Sequence, residues 1–239
     1  MAIHRLSKLD EFGYPISYRS ASAAGCSPSQ IPVNGLVFYA SLSNNSNVAE
    51  TGQELSMYGD VQYTRNGSIP CAYFDGDSYL YYSYGDGEFP KDTQPSTLSI
   101  WVKVENLDDA RSVFGYGQDG VDNHNQRKLV LETDEKLHIS NNSGGDINTA
   151  DIGDYTDWHH YCATISESGS VVSLYVDGVA KATGSFTLRT DAEGNLCIGV
   201  DPWDLNYGKV YGYLAAVRLY NRVLTDREIQ KLSREFDVY

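Results

Sequence analysis

Positive charge is scarce in this chain: 18 Lys and Arg face 32 Asp and Glu over 239 residues, a formal charge of −14. Nucleic acids are gripped by basic surfaces that displace counterions, so the deficit excludes most nucleic-acid roles and disfavours anionic membranes. Long apolar runs are missing too. None approaches the roughly 18 residues needed to span a bilayer, so no membrane insertion is expected, and the start MAIHRLSKLDEFGYP lacks the apolar stretch of a secretory signal. Only two Met and four Cys occur, and Cys26, Cys71, Cys162 and Cys197 form no C-x-x-C pair, which argues against structural zinc. Cys162 in HHYCATI and Cys197 in NLCIGV sit in apolar runs. Reduced thiols acting as small hydrophobes are expected there.

What is abundant is Tyr, with 19, and Gly, with 22, a composition of strands and turns; 41% hydrophobic residues suffice for one sizeable core. The first 32 residues stand apart. They hold Pro15, Pro28 and Pro32 of seven prolines and a net charge of +1, leaving −15 for residues 33–239. Ile3, Leu6, Leu9, Phe12, Tyr14, Ile16 and Tyr18 are too many large apolar groups for a plain linker. Residues 1–32 are therefore expected to be an arm that anchors on neighbouring protein subunits, and residues 33–239 the folded domain.

From Val33 onward the period is two. In STLSIWVKV, Leu98, Ile100, Val102 and Val104 alternate with Ser99, Trp101 and Lys103, as in a half-buried strand. The alternation recurs in NGLVFYASL, VVSLYVDG and YLAAVRLYN. Asp75-Gly76, Asp134-Glu135 and Asp177-Gly178 read as hairpin turns. Short strands at regular spacing without intervening helices give an all-β fold, an antiparallel sandwich or barrel. One short C-terminal helix is expected, opened by the capping box Thr225-Asp226-Arg227-Glu228, with Ile229, Leu232 and Phe236 as its apolar stripe.

AYFDGDSYLYY, STLSIWVKV, WHHYCATI, VSLYVDGVAKAT, NLCIGV and GYLAAVRLYNRVLTDREIQKL, in this order, resemble the laminin G-like jelly roll of the concanavalin A-like lectin/glucanase superfamily. The resemblance implies a two-sheet antiparallel jelly-roll sandwich of six or seven strands per sheet. It does not fix function, because such folds host binding modules, adhesion domains, glycosidases and spacers. Glycosidases of the fold pair acids on one strand. The nearest run, Glu132-Thr133-Asp134-Glu135-Lys136, offers Lys136 where an acid is wanted and reads as a turn. His159-His160 has no nearby nucleophile and reads as structural, so no catalytic residue is expected. Relatives that hold a structural calcium ion resemble one another in an Asp where this chain has Ala215. No cofactor is expected, although Asp75, Asp77 and Asp201 could still form a calcium site of another design.

Sugars are bound by aromatic faces, with amides and carboxylates taking their hydroxyls. The expected ligand-binding loop is 201–207, with Asp201, Trp203, Asp204, Asn206 and Tyr207. A second candidate is Tyr116 with Gln118, Asp119, Asp122, Asn123, His124 and Asn125; a third is the stripe Tyr79, Tyr81, Tyr82 and Tyr84. Relatives of the fold work mostly outside the cytoplasm, whereas this chain starts at Met1 without an export signal. A virion component released by lysis reconciles the two. The expectation is a non-catalytic glycan-binding or adhesion domain on a multi-copy assembly, a phage decoration or fibre protein at a virion or extracellular surface. The alternatives are a purely structural interaction protein and, third, an extracellular glycosidase.

Overall fold

The computed structural model describes residues 31–236 apart from 44–45, 118–125, 141–146, 150–151, 169 and 186–189. The strands run, in chain order, β1 (Leu36–Ala40), β2 (Ser56–Tyr58), β3 (Gln62–Asn66), β4 (Ile69–Asp75), β5 (Tyr79–Tyr84), β6 (Ser96–Val104), β7 (Arg111–Gly117) and β8 (Gln126–Glu132). There follow β9 (Lys136–Ser140), β10 (Ile147–Asn148), β11 (His159–Ile165), β12 (Val171–Val176), β13 (Val179–Ser185), β14 (Gly194–Ile198), β15 (Tyr211–Tyr220) and the helix α1 (Asp226–Leu232). They make two antiparallel sheets. One has eight strands in the order β13-β12-β11-β6-β15-β4-β3, with β1 also on β15; the other has seven, β10-β9-β8-β7-β14-β5-β2.

Alternation builds the core between the sheets. Leu98, Ile100 and Val102 of β6 and Leu214 of β15 face Leu80, Phe114, Leu129, Leu131, Leu196 and Ile198 of the other sheet, all buried. Each such side chain contributes about 1.5–3 kcal/mol through removal from water. Strand β15 serves two neighbours on one edge: Tyr211–Leu214 pair with β4, and Val217–Tyr220 pair with β1. A bulge between Ala215 and Arg218, with Ala216 at φ 51°, separates the two stretches.

Of the three expected turns, two join paired strands. Asp177-Gly178, with φ 51° and 77°, closes the β12–β13 hairpin as a type I′ turn requires. Asp134-Glu135 closes β8–β9. Asp75-Gly76 differs, because β4 and β5 lie in different sheets. There the Asp75 carboxylate accepts the amides of Asp77 (3.0 Å) and Ser78 (2.9 Å), and the chain crosses the sandwich instead of returning on itself. Strand β6 is also not half-buried: Ser99 and Trp101 are as buried as the core-facing residues. The covering element is α1 and the chain after it. Trp101 Nε1 donates to the Leu232 carbonyl (3.1 Å), Phe236 packs against its ring, and Arg218 forks onto Glu235 (2.8 and 2.7 Å).

The capping box forms, with Thr225 N donating to the Glu228 carboxylate (2.9 Å) and Glu228 N to the Thr225 hydroxyl (3.3 Å). Ile229 and Leu232 pack onto Cys162, Tyr175 and Tyr220. Cys71, Cys162 and Cys197 are buried; Cys26 lies outside the described residues. Among the described residues no helix is long and apolar enough to cross a membrane.

Candidate functional site

Strand alternation also decides what points away from the core on the seven-stranded sheet. In β8, Leu129 and Leu131 enter the core, so Lys128 and Val130 project outward. In β5, Leu80 and Tyr82 face the core side and Tyr79 and Tyr81 the outside; in β14, Cys197 faces outward. The 201–209 loop, between β14 and β15, folds over this outer face.

Its stem is made by backbone. Val210 N donates to the Gly199 carbonyl (2.9 Å) and Gly199 N to the Val113 carbonyl (3.1 Å). Gly199, at φ +83°, lies against Phe74, whose ring a Cβ would meet at 2.8 Å, so no other residue fits there without displacement. Above the stem, Asp201 N donates to the Tyr207 carbonyl (3.1 Å) and Tyr207 N to the Asp204 carbonyl (2.9 Å). Leu205 packs against Tyr79, Cys197 and Val200. Ser112 N donates to the Gly208 carbonyl (2.8 Å), fixing the far side of the loop to β7.

The loop's main anchor is ionic. Asp201 is buried and its Oδ2 accepts from Lys128 Nζ, itself buried, while Oδ1 accepts the amide of Trp203 (2.9 Å). Asp204 Oδ1 accepts the amide and side-chain nitrogen of Asn206 (2.9 and 3.2 Å). The consequence is a loop whose polar groups hold its own shape and whose rings are left outside. Trp203 is 42% exposed and Tyr207 46%. The Tyr207 hydroxyl is pushed up by partial burial and by the carboxylates of Asp109, Glu132 and Asp201, against Arg111. Beside the loop, Tyr58 of the edge strand β2 is 54% exposed and stacks on Tyr79 at 4.8 Å, with Lys209 Nζ 5.6 Å from the Tyr58 ring centroid.

Trp203, Asp204, Asn206 and Tyr207 thus lie together at the surface, whereas Asp201 lies beneath them. Asp201 is corrected from a ligand contact to the loop's anchor, because both carboxylate oxygens are engaged inside the protein. Tyr116 is corrected as well. It is fully buried in β7 and its hydroxyl donates to the Pro90 carbonyl (3.1 Å), out of reach of a dissolved ligand. Its companions Gln118, Asp119, Asp122, Asn123, His124 and Asn125 lie outside the described residues. The Tyr stripe divides by parity. Tyr82 and Tyr84 turn inward, onto Glu88 (2.7 Å) and the Asp191 carbonyl (3.4 Å), leaving Tyr79 and Tyr81 on the loop's side. Sequence reading missed Tyr58, Lys209 and Lys128. Only the parity of Lys128 against Leu129 and Leu131 announced which way it would point.

The remaining candidates resolve to structural roles. His160 is buried, its Nε2 2.9 Å from the Ser99 hydroxyl, and burial with nearby Arg218 pushes its pKa down to about 3, so the ring is neutral. His159 bonds Asp177 through Nδ1 (2.8 Å). Asp134 pairs with Lys136, which holds its carboxyl below the ordinary value, the reverse of what a proton donor needs. Ala215 is packed beside Trp101, Asp75 is spent on the 75–78 turn and Asp77 lies 3.9 Å from Lys209. Among the described residues no group of three or more His, Cys, Asp or Glu converges to hold a metal ion.

The comparisons agree with this geometry at the level of the fold. C-reactive protein 1.1 of Limulus polyphemus is 27% identical over 168 residues, which cover 60% of this chain and 63% of that protein. This chain thus matches less than two thirds of that relative's length. Domain 4 of an extracellular arabinanase from Geobacillus stearothermophilus, solved with arabinotriose, superposes with a TM-score of 0.63 at 22% identity, covering 83% of this chain and 98% of that one. Trypanosoma rangeli sialidase, solved with sialic acid, gives 0.63 at 18% identity over 87% of this chain but only 34% of the enzyme. Residues 74–230 match a laminin G-like family, and with two stacked antiparallel sheets and a capped C-terminal helix the chain belongs to the concanavalin A-like lectin/glucanase superfamily.

Proposed function

We propose that this chain is a non-catalytic binding domain whose 201–207 loop holds glycans, displayed in many copies on a larger assembly. The observation that carries the reading is the pairing of two exposed rings, Trp203 and Tyr207, with a rigid support, the buried Lys128–Asp201 ion pair under them. A ring held in place before a sugar arrives loses little freedom on binding. Asp204 and Asn206 lie between the rings in sequence and supply carboxylate and amide for hydroxyls. The arabinanase domain solved with arabinotriose supports a binding role, and the depressed Asp134 carboxyl, in the acidic run nearest to a hydrolase motif, supports the absence of catalysis. Residues 1–32 are the proposed anchor, and a phage decoration or fibre protein at a virion surface is the proposed setting. Weak single sites would then add through effective concentration.

The test is titration of folded wild-type and Trp203→Ala proteins on a multivalent glycan array. Loss of a stacked ring should weaken binding by about 0.5–1.5 kcal/mol, roughly twofold to twelvefold, with the thermal midpoint unchanged. Unchanged affinity would move the site to Tyr58, Tyr79 and Tyr81. Absence of glycan binding by the wild type would favour a structural interaction protein, for which the exposed edge strand β2 is the natural contact.

A further inference from the structure

On the eight-stranded sheet, the face turned away from the core is covered by α1 at one end and open at the other. The open end carries a lane of aromatic rings. Tyr73 of β4 lies opposite Tyr213 of β15, and Tyr213 lies opposite Lys103 of β6. Gln62 of β3 continues the row beyond Tyr73, and Trp158, just before β11, continues it beyond Lys103. Tyr211, two residues before Tyr213 and so on the same face, is 37% exposed. The ring centroids step by 6.0 Å from Tyr211 to Tyr73, 5.0 Å to Tyr213 and 6.4 Å to Trp158. Tyr73, Tyr211 and Tyr213 sit on the adjacent strands β4 and β15, about 4.8 Å apart, whereas Trp158 reaches Tyr213 from the far side of β6, its ring leaning back across the sheet. The undersides of Tyr213 and Trp158 rest on the cluster of Trp101, Cys71 and Ala215, and Trp158 Nε1 is fixed to Asn66 Oδ1 (3.1 Å).

We propose that this lane is a second glycan-binding site, on the opposite side of the sandwich from the 201–207 loop, and that it takes a single soluble chain of neutral sugars. Three observations select that occupant. First, the lane is small. Four rings, three of them half-buried and Tyr211 little more exposed, present on the order of 300 Å², well below the roughly 800 Å² that each partner of a stable protein complex covers. Second, Lys103 lies between Tyr213 and Trp158 in the row and Gln62 flanks it beyond Tyr73, hydrogen-bonding side chains that suit a ligand with an apolar ring face and hydroxyl rims. Third, successive rings are tilted by 68°, 51° and 49°, so they share no plane and cannot lie flat on a crystalline polysaccharide, which leaves a single chain able to bend over them. The charge of −14 repels acidic glycans at long range and leaves the neutral ones.

The experiment uses the full chain carrying Trp203→Ala, which leaves Trp158 and the buried Trp101 as reporters, titrated with neutral linear hexasaccharides of arabinose, xylose and glucose. The expected result is a saturable change in tryptophan emission with at least one of them, weakened at least threefold by Tyr211→Ala and lost in Tyr213→Ala. Tyr211 is the safer variant because it is the most exposed ring, and both are first checked for an unchanged thermal midpoint. Emission that changes with no hexasaccharide, or titrates alike in folded lane variants and parent, would overturn the proposal. So would self-association of the wild type that the lane variants abolish, since the lane would then face another copy of the chain. The loop reading fails separately: wild-type and Trp203→Ala proteins would then bind the array equally while the lane variants still lose the hexasaccharide.

Discussion

Asp201 shows how a single carboxylate can be essential to a binding loop without touching a ligand. It shares a buried ion pair with Lys128 and also accepts the amide of Trp203, so it joins the sheet below to the ring above. Removing one partner of a buried pair strands the other charge and costs about 3–5 kcal/mol, whereas replacing both with apolar groups is often near neutral. Asp201→Ala should therefore lower the thermal midpoint by on the order of 10 °C. Lys128→Met combined with Asp201→Leu should recover most of that loss. Glycan binding should stay weak in the recovered double variant, because the amide of Trp203 has still lost its acceptor. A double variant that is stable and binds at full strength would show that the anchor serves the fold alone.

Helix α1 has seven residues, too short to persist unless its ends and one face are held. Glu228 does most of the holding at the start: Arg222 forks onto its carboxylate (2.9 and 2.6 Å) and the Thr225 amide donates to it. Arg222, with the Thr225 bonds and against partial burial, holds the Glu228 pKa at about 2. A carboxyl lower in the folded chain than in the unfolded one stabilises fully above the unfolded value, about 4.3 for Glu, and that contribution is lost as pH falls towards 2. A partly exposed pair with a cap is worth about 1 kcal/mol, or roughly 2–4 °C in a domain of this size. The wild type should therefore lose roughly half of that more between pH 6 and pH 3 than Glu228→Gln, with the rest going as pH approaches 2, followed by thermal melts; parallel losses would remove Glu228 from the account. The helix start was legible in advance because a capping box is local in sequence. The covering of β6 was not, since nothing in STLSIWVKV says that a segment more than a hundred residues later will lie over Trp101.

The same division between local and distant information runs through the whole molecule. Two stacked sheets followed from alternation, and the hairpin at Asp177-Gly178 from two residues able to adopt positive φ. Sheet membership did not follow, because Asp75-Gly76 looks the same whether the chain turns back or crosses the sandwich. Nor did the burial of Tyr116 and Asp201, which depends on partners from other strands, Lys128 in one case and the Pro90 carbonyl in the other. The lower boundary of the domain is equally a matter of distant contacts. Ile31 packs beside Tyr220 and Leu224, and the Tyr220 hydroxyl donates to the Pro32 carbonyl (3.0 Å), so the folded body begins by residue 31. Deleting residues 1–30 should leave the thermal midpoint within about 2 °C of the full chain, since ordinary changes outside the core stay within about 0.5 kcal/mol. Extending the deletion through residue 32 should lower it measurably, by removing both contacts. If 1–30 is the anchor, the shorter deletion should also abolish incorporation into the parent assembly while leaving glycan binding by the isolated domain intact. A 1–30 deletion that melts early would make the arm part of the core, and one that is stable yet still incorporated would move the anchor onto the sandwich itself.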